Sequence, residues 1–312
     1  MKRTTVLNRR EFNRFCLSAS GYAVTAGSSA FGQSSNAAPE GARTVKLRDG
    51  RSVPALGQGS ARLAHGFGHS QAEEEAALRT GIDLGMTLID TAEIYDSEEL
   101  IGRVIVGQRD RVFLVSKVWP SHVAGDGIAR ACEASLRRLG TDHLDLYLLH
   151  WANGVSDFSH VVKAFENLRG TGNVRAWGVS NFGVGDMEKL LRAPQGDRCT
   201  MNQLPYSLDD RGIECDLLAW CERHDVPVMA YSPLGGPDAA LLRNPALVRI
   251  GATHNCSPAA VALAWTIRSG RVIAIPESGS VDHVKENGVA LSLTLTPQDL
   301  AALDGVFAPP GR

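Results

Sequence analysis

The 312-residue chain contains no uninterrupted apolar run of about 18 residues, so no membrane-spanning helix is expected. It has no Cys-x-x-C pair. Its six cysteines are Cys16 near the start and Cys132, Cys199, Cys215, Cys221 and Cys256 in the body. That odd number in the body and those spacings argue against both a disulfide framework and a zinc site, and the thiols read as small buried hydrophobes. Long runs of one charge sign are also missing after the N-terminus. With 32 basic and 34 acidic side chains the formal net charge is -2, so neither a nucleic acid nor an anionic membrane is called for as a partner. What is there is ordinary: 44% hydrophobic and 21% charged residues, the composition of one large barrel or two average domains.

The first 38 residues differ in kind from the rest. Lys2, Arg3, Arg9, Arg10 and Arg14 accompany a single acidic residue, Glu11, before position 40. A short, mildly apolar stretch rich in Ser, Gly and Ala follows, then a Ser/Asn/Gln/Pro segment. A basic start, a short apolar middle and a small-residue exit form a secretory signal layout. The Arg9-Arg10-Glu11-Phe12 sequence resembles the twin-arginine type, which addresses folded proteins to bacterial export. Residues 1–38 are therefore expected to be signal peptide and linker, the mature protein to be periplasmic rather than cytoplasmic, and residues 44–312 to form the folded body.

From Thr44 the pattern becomes regular. Asp49-Gly50, between TVKL and SVPALG, suggests a two-residue hairpin turn ahead of the main fold. Then strand-like runs (VPALGQG, MTLID, RVFLVSK, LDLYLLH, VRAWGVS, RCTMNQ, PVMAYS and VIAIP) alternate with longer amphipathic stretches. Strands alternating with helical segments of about 10–15 residues imply βα units on a parallel sheet. Eight such strands favour closure into a (β/α)8 barrel, which typically takes about 250 residues. Gly85, Gly140 and Gly170 fall where left-handed helix caps are wanted, and Ser257-Pro258 and Thr296-Pro297 read as helix starts.

The ionisable residues then take on meaning. In such a barrel the C-terminal strand ends face the mouth. MTLID ends in Asp90, RVFLVSK in Lys117 and LDLYLLH in His150. Ser180-Asn181 and Asn202-Gln203 end two further runs. Singly these are a helix cap, a solvated charge and a core histidine; together on one rim they mark an active site.

The segments GMTLIDTAEIYDSEELIG, LVSKVWP, DLYLLHW, WGVSNF, NQ, AYSPLG and IPESGS...HVKEN resemble, in order and spacing, the aldo-keto reductase family. Within it they are similar to bacterial reductases of methylglyoxal and related small ketoaldehydes, or of diketogulonate. The resemblance implies NAD(P)H-dependent reduction of a small aldehyde or ketone by a monomer. It implies a catalytic group of Asp90, Tyr95, Lys117 and His150, in which Tyr95 is the general acid. A free phenol titrates near pH 10, and the Lys117 ammonium would favour its phenolate. Asp90 would hold Lys117, and His150 would orient the substrate. By the same resemblance Ser180, Asn181 and Gln203 bond the nicotinamide carboxamide, Tyr231 stacks on its ring, and Ser232 and Leu234 cover the pyrophosphate. Glu277, Ser278, His283, Glu286 and Asn287 hold the adenosine end. A barrel needs no glycine-rich dinucleotide fingerprint, and the sequence has none in a strand-turn-helix context. A non-catalytic cofactor-binding barrel is the rival reading, and the presence of the whole catalytic set speaks against it.

Two departures from the family pattern stand out. Members preferring NADPH often carry Lys and Arg where Glu277 and His283 stand. A carboxylate there would repel a 2′-phosphate and accept a bond from a free 2′-hydroxyl, which predicts a weakened NADPH preference. Ala61 replaces a large aromatic, which predicts a wider pocket walled by Trp119 and Trp151. No metal is implied.

Overall fold

The computed structural model describes residues 42–66, 68–236 and 240–311, so the signal-like segment and Cys16 lie outside the described residues. The chain enters as an antiparallel hairpin, β1 (Thr44–Lys46) with β2 (Ser52–Pro54), in which Val45 faces Val53. The register pairs Leu47 with Arg51, whose carbonyl accepts the Leu47 N–H at 2.7 Å. Three residues therefore make the reversal, not the two expected. Gly50 closes it at φ +89°, a left-handed conformation that costs glycine little.

Seven parallel strands follow in strict chain order: β3 (Leu88–Asp90), β4 (Phe113–Val118), β5 (Leu146–Leu149), β6 (Trp177–Ser180), β7 (Asn202–Pro205), β8 (Val228–Tyr231) and β9 (Val272–Ala274). The eighth barrel position belongs to residues 55–59, which bond to both free edges. The Gly57 N–H donates to Ala274 O at 2.8 Å, and the Gln58 N–H donates to Leu88 O at 2.8 Å. Parallel bridges pair Leu56 with Ala274 and Gln58 with Ile89. The barrel is thus closed, and neither edge is left unpaired. The VPALGQG run is divided, its first residues serving the hairpin and the remainder the closure. RCTMNQ is displaced: the strand begins at Asn202 instead of ending there.

Alternation along each strand sorts side chains between two layers. Ile89, Leu114, Val118, Tyr147, Leu149, Trp177 and Val179 pack outward among the helices. Leu88, Val115, Leu146, Leu148, Met201, Met229 and Ile273 share an inner cluster with the hairpin residues Val45, Leu47 and Val53. Two residues further along the same strands, on the inner parity, come Asp90, Lys117, His150, Gln203 and Tyr231. An apolar floor therefore underlies a polar mouth.

The helices are α1 (Gln71–Asp83), α2 (Glu98–Ile105), α3 (Gly127–Leu139), α4 (Phe158–Thr171), α5 (Val184–Arg192), α6 (Leu217–Arg223), α7 (Pro245–Thr253), α8 (Pro258–Thr266), α9 (Val281–Gly288) and α10 (Pro297–Val306). Ser257 and Thr296 cap α8 and α10 as expected, and Gly140 ends α3 in the left-handed region. Gly170 does not end α4, which runs one residue beyond it to stop at Gly172, φ +85°. Cys132, Cys199 and Cys221 are buried, and burial pushes their thiols up to about 12. Cys215 is exposed and Cys256 half-buried, against the expectation of a buried set.

Two residues of the family-like pattern prove to be structural. Glu98 opens α2 with its side chain buried, accepting from Ser116 Oγ on β4 at 2.7 Å and from Arg138 Nε on α3 at 2.7 Å. Gly102 lets α2 approach α3: a Cβ there would meet Arg138 O at 2.9 Å and Leu139 O at 3.0 Å, both rigid backbone atoms. Gly102→Ala is expected to lower stability by about 1–3 kcal/mol through overpacking. The effect should appear as a lower denaturation midpoint with an unchanged m-value, and an unchanged midpoint would contradict the close approach.

Candidate active site

Four side chains from separate segments converge at the mouth. Lys117 is fully buried in β4, and its ammonium donates to Asp90 Oδ2 at 2.6 Å and to Thr91 O at 2.8 Å. The same Nζ lies 3.4 Å from the Tyr95 hydroxyl and 4.7 Å from the centre of its ring. The Tyr95 hydroxyl in turn lies 3.2 Å from His150 Nε2. Asp90 Oδ1 accepts from Gln203 Nε2 at 2.7 Å, so both carboxylate oxygens are engaged. The order is carboxylate, ammonium, phenol, imidazole, each within bonding reach of the next.

Asp90, Lys117 and His150 sit at strand ends, where the backbone is fixed by sheet hydrogen bonds. Tyr95 alone comes from a loop, and that loop is tied down. The Tyr95 N–H donates to Ala92 O at 3.0 Å, and His65 Nε2 donates to the Tyr95 carbonyl at 2.9 Å. Ser60 Oγ donates to Asp90 O at 2.8 Å and lies 2.9 Å from Ser97 Oγ, which also meets Thr91 Oγ1 at 2.9 Å. These hydroxyls hold residues 90–97 from below.

Burial opposes every charge here. It pushes the Asp90 carboxyl up and the Lys117 ammonium down from their ordinary ranges, and each partner's charge counters the shift in the other. His150 is held well below the usual imidazole range by burial first and by the Lys117 charge second, and is neutral at physiological pH. Its Nδ1 is buried without a hydrogen-bond partner among the described residues.

Around this group lie the other residues singled out from the sequence. Asn181, at φ +62°, donates from Nδ2 to His150 O at 3.1 Å and to Ser180 Oγ at 3.0 Å, and its Oδ1 accepts from the Tyr231 hydroxyl at 2.9 Å. Ser180, Asn181 and Tyr231 are therefore linked to one another beside His150, and Ser180 Oγ donates to the Gln203 carbonyl at 3.0 Å. Ser232, at φ +50° and exposed, and the half-buried Leu234 follow β8. Trp119 meets the His150 ring edge-on at 5.1 Å, and Trp151 is half-buried in the next loop.

Beyond β9, Ser278 bonds with the Ser280 backbone, Asn287 is buried in α9, and His283 and Glu286 are exposed on that helix. Glu277, expected to offer its carboxylate to the adenosine end, is engaged within the protein instead. Its Oε2 accepts from the Arg62 N–H at 2.7 Å and its Oε1 from Arg62 Nε at 2.8 Å. Arg62, His65 and the carboxylate of Glu93, which accepts from the Trp119 N–H, were not singled out from the sequence. A lone polar residue in a loop carries no periodic or spacing signal that would reveal it.

A family model for the aldo/keto reductase family matches residues 55–308. The chain is 46% identical over 268 residues to methylglyoxal reductase YeaE of Escherichia coli (strain K12), spanning 84% of this chain and 94% of that protein. It is 34% identical over 266 residues to glyoxal reductase of Bacillus subtilis (strain 168), covering 84% and 92%. Among solved structures it is similar to an aldo/keto reductase from Klebsiella pneumoniae in complex with NADP and acetate. That likeness has a TM-score of 0.82 at 44% identity and covers 87% of this chain and 97% of the other.

The depressed basicity of His150 has a consequence for stability. Unfolded, the imidazole takes up a proton below about pH 6.5, whereas folded it does so only at a pH well below that. The native state is therefore favoured fully above that pH and loses stability as pH falls, by about 1.4 kcal/mol per pH unit from this group. His150→Gln should flatten the pH dependence of unfolding free energy between about pH 6.5 and 5 relative to the parent. Equal slopes in denaturant titrations of the two proteins would show that His150 titrates normally.

Proposed function

The chain belongs to the aldo/keto reductase family, and we propose that it reduces a small aldehyde or ketone of the methylglyoxal type to the alcohol with NAD(P)H, Tyr95 being the general acid. One observation carries the reading: the Tyr95 hydroxyl lies between the Lys117 ammonium at 3.4 Å and His150 Nε2 at 3.2 Å. Relatives named for methylglyoxal and glyoxal reduction, and a neighbour solved with NADP, support the substrate and cofactor classes.

The residues present suit a nicotinamide dinucleotide. A carboxamide needs both a donor and an acceptor, and the Ser180, Asn181 and Gln203 side chains offer both beside the aromatic face of Tyr231. Ser232, Leu234, Ser278, His283, Glu286 and Asn287, on the loops and helix beyond, would line the rest of the dinucleotide. When bound, the reduced cofactor supplies the hydride to the carbonyl carbon.

The protein's own groups handle the oxygen. Negative charge develops there as the carbonyl is reduced, so donors fixed at that point lower the barrier. Neutral His150 offers Nε2–H, and Tyr95 passes its phenolic proton. The Lys117 ammonium favours the phenolate left behind. Asp90, held by Gln203, keeps that ammonium in place and charged despite burial. Trp119 and Trp151 wall the substrate side, and the small Ala61 leaves that wall wide.

The segment outside the described residues completes the proposal. Arg9-Arg10-Glu11-Phe12 with its apolar continuation is read as a twin-arginine signal that delivers the folded, cofactor-loaded barrel to the periplasm. The protein is proposed to act as a monomer, as its resemblance to the family implies.

NADPH oxidation followed at 340 nm with methylglyoxal tests the activity. Tyr95→Phe should lower kcat by about 10²–10⁴-fold while leaving the dissociation constant for the cofactor unchanged. Turnover near that of the parent would remove Tyr95 from its role. Cell fractionation tests the address: the mature protein should be periplasmic, and Arg9→Lys with Arg10→Lys should retain it in the cytoplasm. Periplasmic protein in the double variant would exclude a twin-arginine route.

A further inference from the structure

The loop of residues 60–66 is stitched to its surroundings along its length. Ser60 bonds Asp90 O, the Ala64 N–H donates to Glu74 Oε2 at 2.9 Å, and His65 bonds Tyr95 O. Between them Arg62 makes a two-point contact with Glu277, through its backbone N–H and through Nε. This contact joins the loop after the first barrel strand to the loop after the eighth. In (β/α)8 enzymes the loops after the seventh and eighth strands, with a short following helix, frequently form a phosphate site. Here those are residues 232–236 and 277–280, with α9 behind them.

The pairing inverts the electrostatic sense of this corner. Glu277 alone would present a carboxylate, but its side chain is only 14% exposed and both oxygens are occupied by Arg62. The Arg62 side chain is 36% exposed. It spends Nε and its main-chain N–H on Glu277, and neither contact uses its two terminal amino groups. A guanidinium fixed this way keeps the planar pair of donors that phosphate oxygens accept bidentately. Tethering also removes most of the rotamer freedom that a free arginine would lose on binding. Because Tyr95 and His150 occupy the centre of the mouth, the far end of a dinucleotide must leave over the rim. The Arg62–Glu277 pair stands on that rim.

We propose that Arg62, held in place by Glu277, meets the 2′-phosphate of NADPH and sets the dinucleotide preference of the enzyme. The proposal rests on the reading above that this mouth binds a nicotinamide dinucleotide. It replaces a repelling carboxylate with a carboxylate that serves as an anchor, and it reverses the preference that Glu277 suggests when read alone. The negative charge fixes the side chain, and the positive charge does the recognising.

Dissociation constants for NADPH, NADH and 2′,5′-ADP, measured by quenching of tryptophan fluorescence without substrate, test it on the full-length parent, Arg62→Gln and Glu277→Gln. The parent should bind NADPH more tightly than NADH. Arg62→Gln should weaken NADPH and 2′,5′-ADP by about tenfold or more, with NADH unchanged within about twofold. That unchanged value also shows the variant to be folded. Glu277→Gln should weaken NADPH in the same direction, because the tether is cut. Equal weakening of both dinucleotides in Arg62→Gln would place the cation on the shared pyrophosphate and overturn the proposal, as would no change in either. Tighter NADPH binding by Glu277→Gln would show the carboxylate facing the phosphate and overturn it too. If the parent binds neither dinucleotide, the reductase reading itself fails, a result distinct from the others. Should Arg62→Gln melt early, Arg62→Lys preserves the charge without the Nε contact. A retained NADPH preference in it would support the cationic role, and its loss with NADH binding intact would place the specificity in the guanidinium fork.

Discussion

A fully buried ammonium is among the most demanding groups a protein can enclose, and the mouth of this barrel is arranged around the one on Lys117. Desolvation alone would drive off its proton. Asp90, 2.6 Å away, counters that shift through its charge and its hydrogen bond, and the Thr91 carbonyl accepts from the same nitrogen at 2.8 Å. Removing either member of such a pair leaves an uncompensated buried charge, at a cost of about 3–5 kcal/mol. The pair is therefore less a source of stability than a constraint on everything near it. Gln203 must satisfy the second carboxylate oxygen, and the 90–97 loop must present a carbonyl at one point and a phenol at another.

The barrel meets that constraint through geometry that every strand shares. Side chains two residues apart fall on the same face, so the apolar floor of Leu88, Val115, Leu148, Met201 and Met229 lies directly beneath Asp90, Lys117, His150, Gln203 and Tyr231. The floor excludes water from below. That exclusion depresses His150, and the nearby charge on Lys117 depresses it further. Packing and electrostatics are here one design, since the same desolvation that endangers the ion pair keeps the imidazole neutral.

The rim obeys a looser rule. Loops after the strands are not tied into the sheet, so their positions depend on side-chain contacts such as His65 with Tyr95, Glu74 with Ala64 and Arg62 with Glu277. Carboxylates recur in these contacts as anchors. The rim carries the segments that would meet the dinucleotide, so a residue's charge type alone is a poor guide to what it presents to a ligand there.

Much of this was legible in the linear order of residues. The βα alternation, the barrel class and the strand-end placement of Asp90, Lys117 and His150 follow from hydrophobic period and punctuation, which neighbouring residues specify among themselves. Helices at Ser257-Pro258 and Thr296-Pro297 were readable for the same reason. By contrast, α7 begins at Asn244-Pro245, the same kind of start, yet stands outside the strand-and-helix alternation that the sequence displays. Other features were decided only when the chain closed on itself. Residues 55–59 complete the barrel because two free edges require a partner. The strand at Asn202 takes its register from its neighbours, with Gln203 set level with Ser180. Glu277 finds Arg62 across 215 positions of sequence. A pairing over that distance is fixed by which strands stand side by side, and no local pattern records it.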